Sequence, residues 1–581
     1  MKNLALITLT VIIICGNIFA QTFTRITNSV IVSDTAHSVS CSWGDYDNDG
    51  DLDLHVGNWD NQNSFFYRNL LIETEVDSFL KVTTGIIVND SSGRGIWVDY
   101  DNDTDLDLFT NNLFRNLLAE TGIDSFIDRN IRDIFNEGDY FGGCSWGDYD
   151  NDGDLDLFIS KGGYFSDQNN CLYRNMIKET GIDSFININT GDIVNDGGYS
   201  GGCNWVDYDN DGDLDLYATN SQGQNNFLYQ NLLIETGVDS FVKINSGDIV
   251  NNGGDSSSDT WGDYDNDGDL DLFVTNYGDN NFLYANNGDG NFTRIIVGEI
   301  VNDGGRSTYG NWGDFDNDGD LDLFVSNAEN KKNFLYENNG DGTFLKVDTG
   351  QIVNDICDSF GNSWCDYDND GDLDLFVANY EPNNFLYCNN GNSNNWINIK
   401  CIGIVSNTSA IGTRLWIKAI LNDEAVWQMR EVSGYNDLNV KFGLGNATVI
   451  DTLKIRWPSG IINIFTNILA NQFITAIEDQ DITGIDEESS NFPEKFKLNQ
   501  NYPNPFNSST IISYMMPKAS FVTIKVYDIL GREIKTLISK FQKADIYSLN
   551  FNANELSSGV YFYKLQIGTD FNKTKKMLLL R

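Results

Sequence analysis

Histidine is almost missing from this 581-residue chain: only His37 and His55 occur. Neither lies in a cysteine or histidine cluster, so the chain offers no zinc-type ligand set. Basic side chains are scarce too, 37 Lys and Arg against 85 Asp and Glu, for a formal net charge of −48. Nucleic acid and anionic membranes both require a basic surface, so neither is an expected partner. Beyond residue 20 no run approaches the ~20 apolar residues of a membrane helix, so no transmembrane segment is expected. The nine cysteines contain no C-x-x-C spacing and no dense disulfide framework. Proline is limited to six residues, and four of them, Pro493, Pro503, Pro505 and Pro517, cluster late in the chain.

What is present begins with "MKNLALITLTVIIICGNIFA", a short apolar run behind one lysine and ending at the small Ala20. It reads as a secretory signal over residues 1–20, cleaved before Gln21. Cys15 follows Ile14, where lipid attachment would call for a small residue. Aromatics make up 13% of the chain, and so much aromatic surface needs a core to bury it. The chain is therefore folded, and its acid has a local cause.

That cause is a repeat. "DYDNDGDLDL" begins at Asp45, and close copies begin at Asp99, Asp148, Asp207, Asp263, Asp314 and Asp366, spaced by 54, 49, 59, 56, 51 and 52 residues. A tryptophan stands two residues before each copy: Trp43, Trp97, Trp146, Trp205, Trp261, Trp312 and Trp364. Alternating apolar runs such as "LDLFVTN", "NNFLYAN" and "TFLKV" follow, separated by Gly and Asn, and these read as strands and turns. Four strands in about 53 residues is the size of a propeller blade. The expected fold is all-β, a seven-bladed propeller with calcium loops in the blades, followed by two small β domains. The third run occurs six times between the loops, and a seventh copy, "TFTRI", stands alone at Thr22–Ile26. After the last "NNFLYCNN" the matching run is missing, so the N-terminal copy is expected to complete the last blade.

Within each loop, positions 1, 3, 5 and 9 are aspartates, and position 6 is glycine in six of the seven, the oxygen-ligand spacing of a calcium loop, with a backbone carbonyl at position 7. Carboxylates held this close repel unless a cation lies among them. The candidate ligands are Asp45, Asp47, Asp49, Asp51 and Asp53 in the first loop and Asp99, Asp101, Asp103, Asp105 and Asp107 in the second. The third and fourth loops contribute Asp148, Asp150, Asp152, Asp154 and Asp156, then Asp207, Asp209, Asp211, Asp213 and Asp215. The last three contribute Asp263, Asp265, Asp267, Asp269 and Asp271; Asp314, Asp316, Asp318, Asp320 and Asp322; and Asp366, Asp368, Asp370, Asp372 and Asp374. Position 12 is Val56 rather than a bidentate Glu, which points to weak, extracellular-type affinity. Thr104 replaces the glycine in the second loop, so the Asp99–Asp107 site is expected to be the weakest of up to seven. Identical sites in every unit cannot all be one active centre, so the ions are expected to be mainly structural.

Seven "W-x-D-[YF]-D-N-D-[GT]-D-L-D-L" segments across residues 21–391 resemble the FG-GAP/VCBS family of calcium-binding propeller repeats, related to the head of integrin alpha chains. The resemblance implies ligand roles for Asp45, Asp47, Asp49, Asp53 and their equivalents. A region over 392–478 carries "AIGTRLWI" from Ala410, "REVSGYN" from Arg430, "FGLG" from Phe442 and "WPSG" from Trp457, and is similar to an ASPIC/UnbV domain. Its Arg414, Arg430, Glu431, Lys441, Asp451 and Arg456 form no acid–base set and read as a solvated strand face. An acidic linker is expected over 479–494. Residues 495–581 contain "LNQNYPNPFNSSTII", "VYDILGREI", "LSSGVYFYKL" and "KKMLLL", and resemble the C-terminal sorting domain of type IX secretion, a small β-sandwich ending in an edge strand. That resemblance implies handling by the type IX machinery and release to the extracellular space or cell surface.

Cys41, Cys144 and Cys203 hold equivalent places in different repeats, which suits small buried side chains. Cys144–Cys171 and Cys365–Cys388 are the pairs that could close within one unit. Two functions remain open beside a purely architectural role. One is a non-enzymatic adhesion or recognition module for an extracellular glycan or protein, with Trp59, Tyr164 and Tyr380 as candidate contacts. The other is a polysaccharide-acting enzyme with a carboxylate pair on one rim. An aromatic-lined rim without such a pair would favour binding.

Overall fold

The structure, a computed structural model, describes residues 23–579 apart from 75, 130–140, 289, 435–436, 481, 485–496, 499–505, 507–508, 517–519, 543–544, 554–555 and 568–570. The signal segment at 1–20, residues 485–494 of the expected linker and the four clustered prolines lie outside the described residues. Two compact units divide the chain, Met1–Ile485 and Asp486–Arg581. Among the described residues no helix is long and apolar enough to cross a membrane.

The larger unit is built on seven four-stranded antiparallel sheets, six of them formed from strands that follow one another along the chain. In the first, Ser38–Gly44, Asp53–Asn58, Phe65–Asn69 and Phe79–Lys81 pair in that order. The second strands, "DLHVGN", "DLFVTN" and their relatives, are buried along their whole length. Both faces of these strands are therefore covered, which is why they read as nearly continuous apolar runs. The last sheet has only Ser359–Cys365, Asp374–Asn379 and Phe385–Asn389 of its own; its fourth strand is Phe23–Arg25, with Phe23 opposite Asn389 and Arg25 opposite Tyr387. The N-terminal segment completes the last sheet, as its sequence copy implies.

Neighbouring sheets meet through the repeated aromatics. The loop aromatic of one sheet stacks on the tryptophan of the next, with ring centroids 5.8 Å apart for Tyr46–Trp97 and 5.7 Å for Tyr149–Trp205. The residue after the tryptophan must be small where the next tryptophan arrives: a Cβ on Gly44 would fall 2.8 Å from Trp97 Cδ1. Two rings of hydrogen bonds then run around the assembly. The asparagine ending each third strand donates to the backbone carbonyl of the preceding loop's aromatic residue, from Asn116 to Tyr46 through Asn389 to Phe315 and Asn69 to Tyr367, at 2.7–2.9 Å. The asparagine at loop position 4 donates to the following loop, and Asn369 of the seventh reaches Gly50 O of the first. The last sheet is bonded to the first, so the ring is closed and the sheets have no free lateral neighbours.

All eight described cysteines are free thiols. Cys144 and Cys171 both lie opposite Ile159, on the strands either side of it. Cys365 and Cys388 are likewise on the first and third strands of their sheet. Adjacent strands lie ~4.8 Å apart, so one intervening strand puts each pair beyond disulfide reach.

Residues 395–484 form two further sheets. One orders Asn439–Gly445, Asn395–Ile402, Gln472–Ile477 and Thr483–Gly484; the other orders Glu424–Glu431, Arg414–Leu421, Val449–Arg456 and Ile462–Leu469. Their apolar faces enclose Ile397, Leu415, Phe442, Leu453 and Trp457. The expectation of a solvated charged face holds for Asp451 but fails for the cations. Arg414 is fully buried, Arg430 is buried, and Lys441 and Arg456 are mostly covered. The reason is that this face is laid onto the acidic loops of the ring. Arg414 bonds the Asp207 carbonyl and Asn210, Arg456 pairs with Asp207 Oδ2 at 2.5 Å, and Gly443 N donates to Asp314 Oδ2 at 2.9 Å.

The second unit, by itself, has a three-stranded sheet of Lys497–Leu498, Ser509–Met516 and Asp545–Asn552. Its four-stranded sheet orders Glu533–Gln542, Ser520–Tyr527, Gly559–Ile567 and Phe571–Leu579. Their core includes Ile512, Tyr514, Ile524, Leu565 and Met577. The tail strand Phe571–Leu579 lies at the edge of its sheet, as expected.

Candidate metal centre

Each acidic loop joins the first strand of a sheet to the second, so Asp45 follows Gly44 and Asp53 opens the next strand. Two left-handed residues fold it back on itself. Position 4 is always asparagine at φ +55° to +67°, and position 6 is glycine at φ +91° to +108° in six copies. Both residue types tolerate this region. In the second loop Thr104 adopts φ +79°, a strained conformation for a β-branched side chain. Thr104→Gly is therefore expected to stabilise the chain by about 1 kcal/mol, read as a rise of ~1–2 °C in melting temperature; a fall would refute the strain argument.

The tight turn aims carboxylates inward. The position-1 aspartate accepts from the backbone amides of positions 5 and 6, at 2.9 and 3.0 Å for Asp148. The position-9 aspartate accepts from the end of the third strand, Asn69 N to Asp53 Oδ1 at 2.8 Å. The remaining oxygens converge. Ligand atoms of Asp45, Asp47 and Asp49, and of Asp99, Asp101 and Asp107, lie within 4.8 Å of one another. Asp53 Oδ2, Asp156 Oδ2 and Asp366 Oδ1 are buried without a hydrogen-bond partner. Burial, then the neighbouring carboxylates, pushes Asp47, Asp101, Asp150 and Asp368 up to about 7. Burial raises Asp53, Asp156 and Asp374 well above the ordinary range. Hard oxygen donors, converging and short of partners, fit a calcium-type ion.

The position-7 aspartates have a different task in the first four sheets. Asp51, Asp105, Asp154 and Asp213 each use Oδ2 to accept from a backbone amide of the four-residue helix after the third strand, at 2.7–3.0 Å. In the last three sheets Asp269, Asp320 and Asp372 accept from the preceding loop's asparagine. The helix brings an acid that the spacing of the loop alone does not reveal: Asp49, Asp51 and Glu73 form a second cluster, as do Asp103, Asp105 and Glu120. The recurring "ET" of "LIET", "LAET", "IKET" and "LIET" was the available signal.

A second feature not foreseen is a built-in cation. Arg68 lies 2.7 Å from Asp47 and 2.6 Å from Glu73; Arg115 and Arg174 repeat the arrangement in the second and third sheets. Arg68 approaches Asp47 Oδ2 without hydrogen-bond alignment, so that contact is a pairing of charges. The equivalent third-strand residue is Gln230 in the fourth sheet, then Ala285, Glu337 and Cys388. Cys388 joins Asp368 and Asp374 in one cluster.

Trp59 and Tyr164 lie at the other end of the first strands, lining a central funnel, and Tyr380 packs beside Trp59 with ring centroids 6.5 Å apart.

Family models match the chain in three places. An FG-GAP-like repeat matches residues 207–274, 263–325 and 314–377; ASPIC and UnbV matches 403–483; and a secretion system C-terminal sorting domain matches 500–580. No curated protein shows significant similarity to the chain. Similar solved structures include the Dos1 propeller, 11% identical over 62% of this chain and 78% of that one, with a TM-score of 0.35. Saccharomyces cerevisiae Sqt1 is 10% identical over 76% of this chain and 98% of that one, with a TM-score of 0.36. The chain carries FG-GAP-like propeller repeats, an ASPIC/UnbV domain and a type IX C-terminal sorting domain, in that order, and is a protein secreted across the outer membrane to the cell surface or extracellular space.

Proposed function

We propose that this is a calcium-stabilised, non-enzymatic recognition module, with ions held by Asp45, Asp47, Asp49, Asp53 and their equivalents. The observation that carries the calcium reading is the set of buried carboxylate oxygens that converge without hydrogen-bond partners in the loops. A bound divalent ion supplies the positive charge that lets these groups ionise together inside the fold. In the first three sheets an arginine already supplies part of that charge, and Arg430 opposite Asp263 and Asp314 and Lys441 opposite Asp366 do so in the fifth to seventh.

Binding rather than hydrolysis is supported by the funnel. It is lined by aromatic rings, and of the two carboxylates among its described lining residues, Asp60 and Asp259, Asp60 is committed elsewhere. His37 Nδ1 and the Tyr380 hydroxyl both meet Asp60 Oδ2 at 2.5 Å, and hydrogen bonds from Tyr380 and then His37 hold Asp60 below the usual carboxylate range. Acid–base cleavage of a glycoside needs two cooperating carboxyl groups. The test is calorimetric titration of the full secreted chain with calcium. Several equivalents are expected to bind, and Asp265→Ala should remove one. Unchanged stoichiometry in that variant would count against the assignment.

A further inference from the structure

The funnel opens at the end of the first strands away from the acidic loops and encloses about 660 Å³, within the ~300–1,000 Å³ of small-molecule sites. Its wall includes Trp59, Tyr164, Phe165, Tyr277, Tyr309 and Phe360. These rings are held in place. Trp59 lies against Gly93, whose Cβ would fall 2.2 Å from Trp59 Cδ1, and packs on Phe360 at 5.4 Å between ring centroids. Tyr164 and Tyr277 pack at 5.6 Å. Phe165 projects with 68% of its surface exposed.

Part of the floor is bare backbone. Gly142–Gly143 and Gly201–Gly202 begin adjacent first strands as paired glycines, where each other sheet carries at least one side chain. Beside them lies Asp259, 3% exposed. Its Oδ2 accepts from Asn204 Nδ2 at 2.9 Å and Trp261 Nε1 at 3.2 Å. Its Oδ1 has no hydrogen-bond partner and sits 3.0 Å from where a Gly202 Cβ would lie. Arg94 also lines the cavity.

We infer that this funnel, taken as the recognition surface proposed above, is a binding site for a neutral saccharide. Asp259 Oδ1 is already buried and unpaired in the free protein, a standing cost of about 1–3 kcal/mol that only a ligand bringing a hydrogen-bond donor relieves. An anion is opposed by Asp259 together with a chain of net charge −48, and a cationic ligand is the alternative that the test below separates. A sugar hydroxyl donates to the Asp259 carboxylate, while the apolar ring faces lie on the aromatic walls.

The test uses the calcium-saturated, full secreted chain, titrated calorimetrically with cellotetraose, xylotetraose, mannotetraose and chitotetraose, and with tetramethylammonium as the cationic comparison. At least one tetrasaccharide is expected to bind, with at least tenfold weakening in Phe165→Ala and in Asp259→Asn. Phe165 is exposed, so its variant keeps the test valid should Asp259→Asn fail to fold. Binding of no tetrasaccharide, binding of tetramethylammonium alone, or undiminished sugar binding in Phe165→Ala would each overturn the inference. The calcium-induced rise in melting temperature is read on the same samples. Its loss would refute the calcium reading, whereas failure of sugar binding with that rise intact refutes only the saccharide site.

Discussion

Stripping calcium from the full secreted chain with a chelator should lower the melting temperature of its larger compact unit by ~10 °C or more. At a free concentration ten times its dissociation constant, an ion that binds only the folded state contributes about 1.4 kcal/mol per site. Seven such sites approach ~10 kcal/mol, which is on the order of ten degrees for a unit of this size. The structure explains why the loops depend on the ion. Asp156 and Asp374 are fully buried carboxylates whose ordinary ionisation burial opposes. The same shifts set the pH response of the stripped protein. Asp47, Asp101, Asp150 and Asp368 titrate near 7 when folded, above the ordinary 3.8. The folded state therefore holds protons that the unfolded state has released between about pH 4 and 7. The stripped protein should gain stability as pH falls from 7.5 to 5.5, whereas the calcium-loaded protein should lose some, because protons compete with the ion. Differential scanning calorimetry at the two pH values, with calcium and with chelator, measures both trends. A chelator-insensitive melt would defeat the structural-ion reading.

The second large effect concerns the docked small domain. Arg414 is fully buried, its Nε 2.8 Å from Glu431 Oε2, and its guanidinium also bonds the Asp207 carbonyl and Asn210. Glu431 is itself nearly covered, with a side chain 9% exposed. Arg414→Leu strands that carboxylate in a dry setting, and removing one partner of a buried pair costs about 3–5 kcal/mol. Urea unfolding of the larger unit should show a loss of that size. Removing both charges, Arg414→Leu with Glu431→Leu, should recover part of it, because no isolated charge then remains buried. A single-variant loss below about 1 kcal/mol would show that the pair carries no such weight. Arg414→Lys is not expected to substitute, since one ammonium cannot reproduce the guanidinium's fork of donors.

Much of this architecture was legible residue by residue. The alternation in "LDLFVTN" and the tryptophan before each loop were enough to predict small sheets in series. The orphan "TFTRI" identified the strand that completes the last sheet, because a missing copy and a spare copy can be counted without knowing a single contact. The D-x-D-N-D-G spacing placed the converging carboxylates because a loop of nine residues with two left-handed positions has few ways to fold. Glu73 and Glu120 escaped because they reach the loops across a third strand and a helical turn. Arg68, Arg115 and Arg174 escaped for the same reason, since the strand register alone decides which loop they face.

The small domain shows where local pattern stops being informative. Arg414, Arg430, Lys441 and Arg456 alternate with apolar residues as any half-exposed strand would, and nothing in that alternation distinguishes water from a partner surface. Cys144 and Cys171 illustrate the converse: their proximity in the repeat suggested a bond that one intervening strand forbids. The sequence by itself determined the sheets, the loops and the export route, because these follow from short-range periodicity and contiguous motifs. Only the tertiary structure decided which charges are buried, that the acidic face is covered by a basic one, and that a lone carboxylate oxygen waits at the foot of an aromatic funnel. Those depend on groups hundreds of residues apart being brought within bonding distance, where desolvation turns an ordinary surface charge into a determinant of stability.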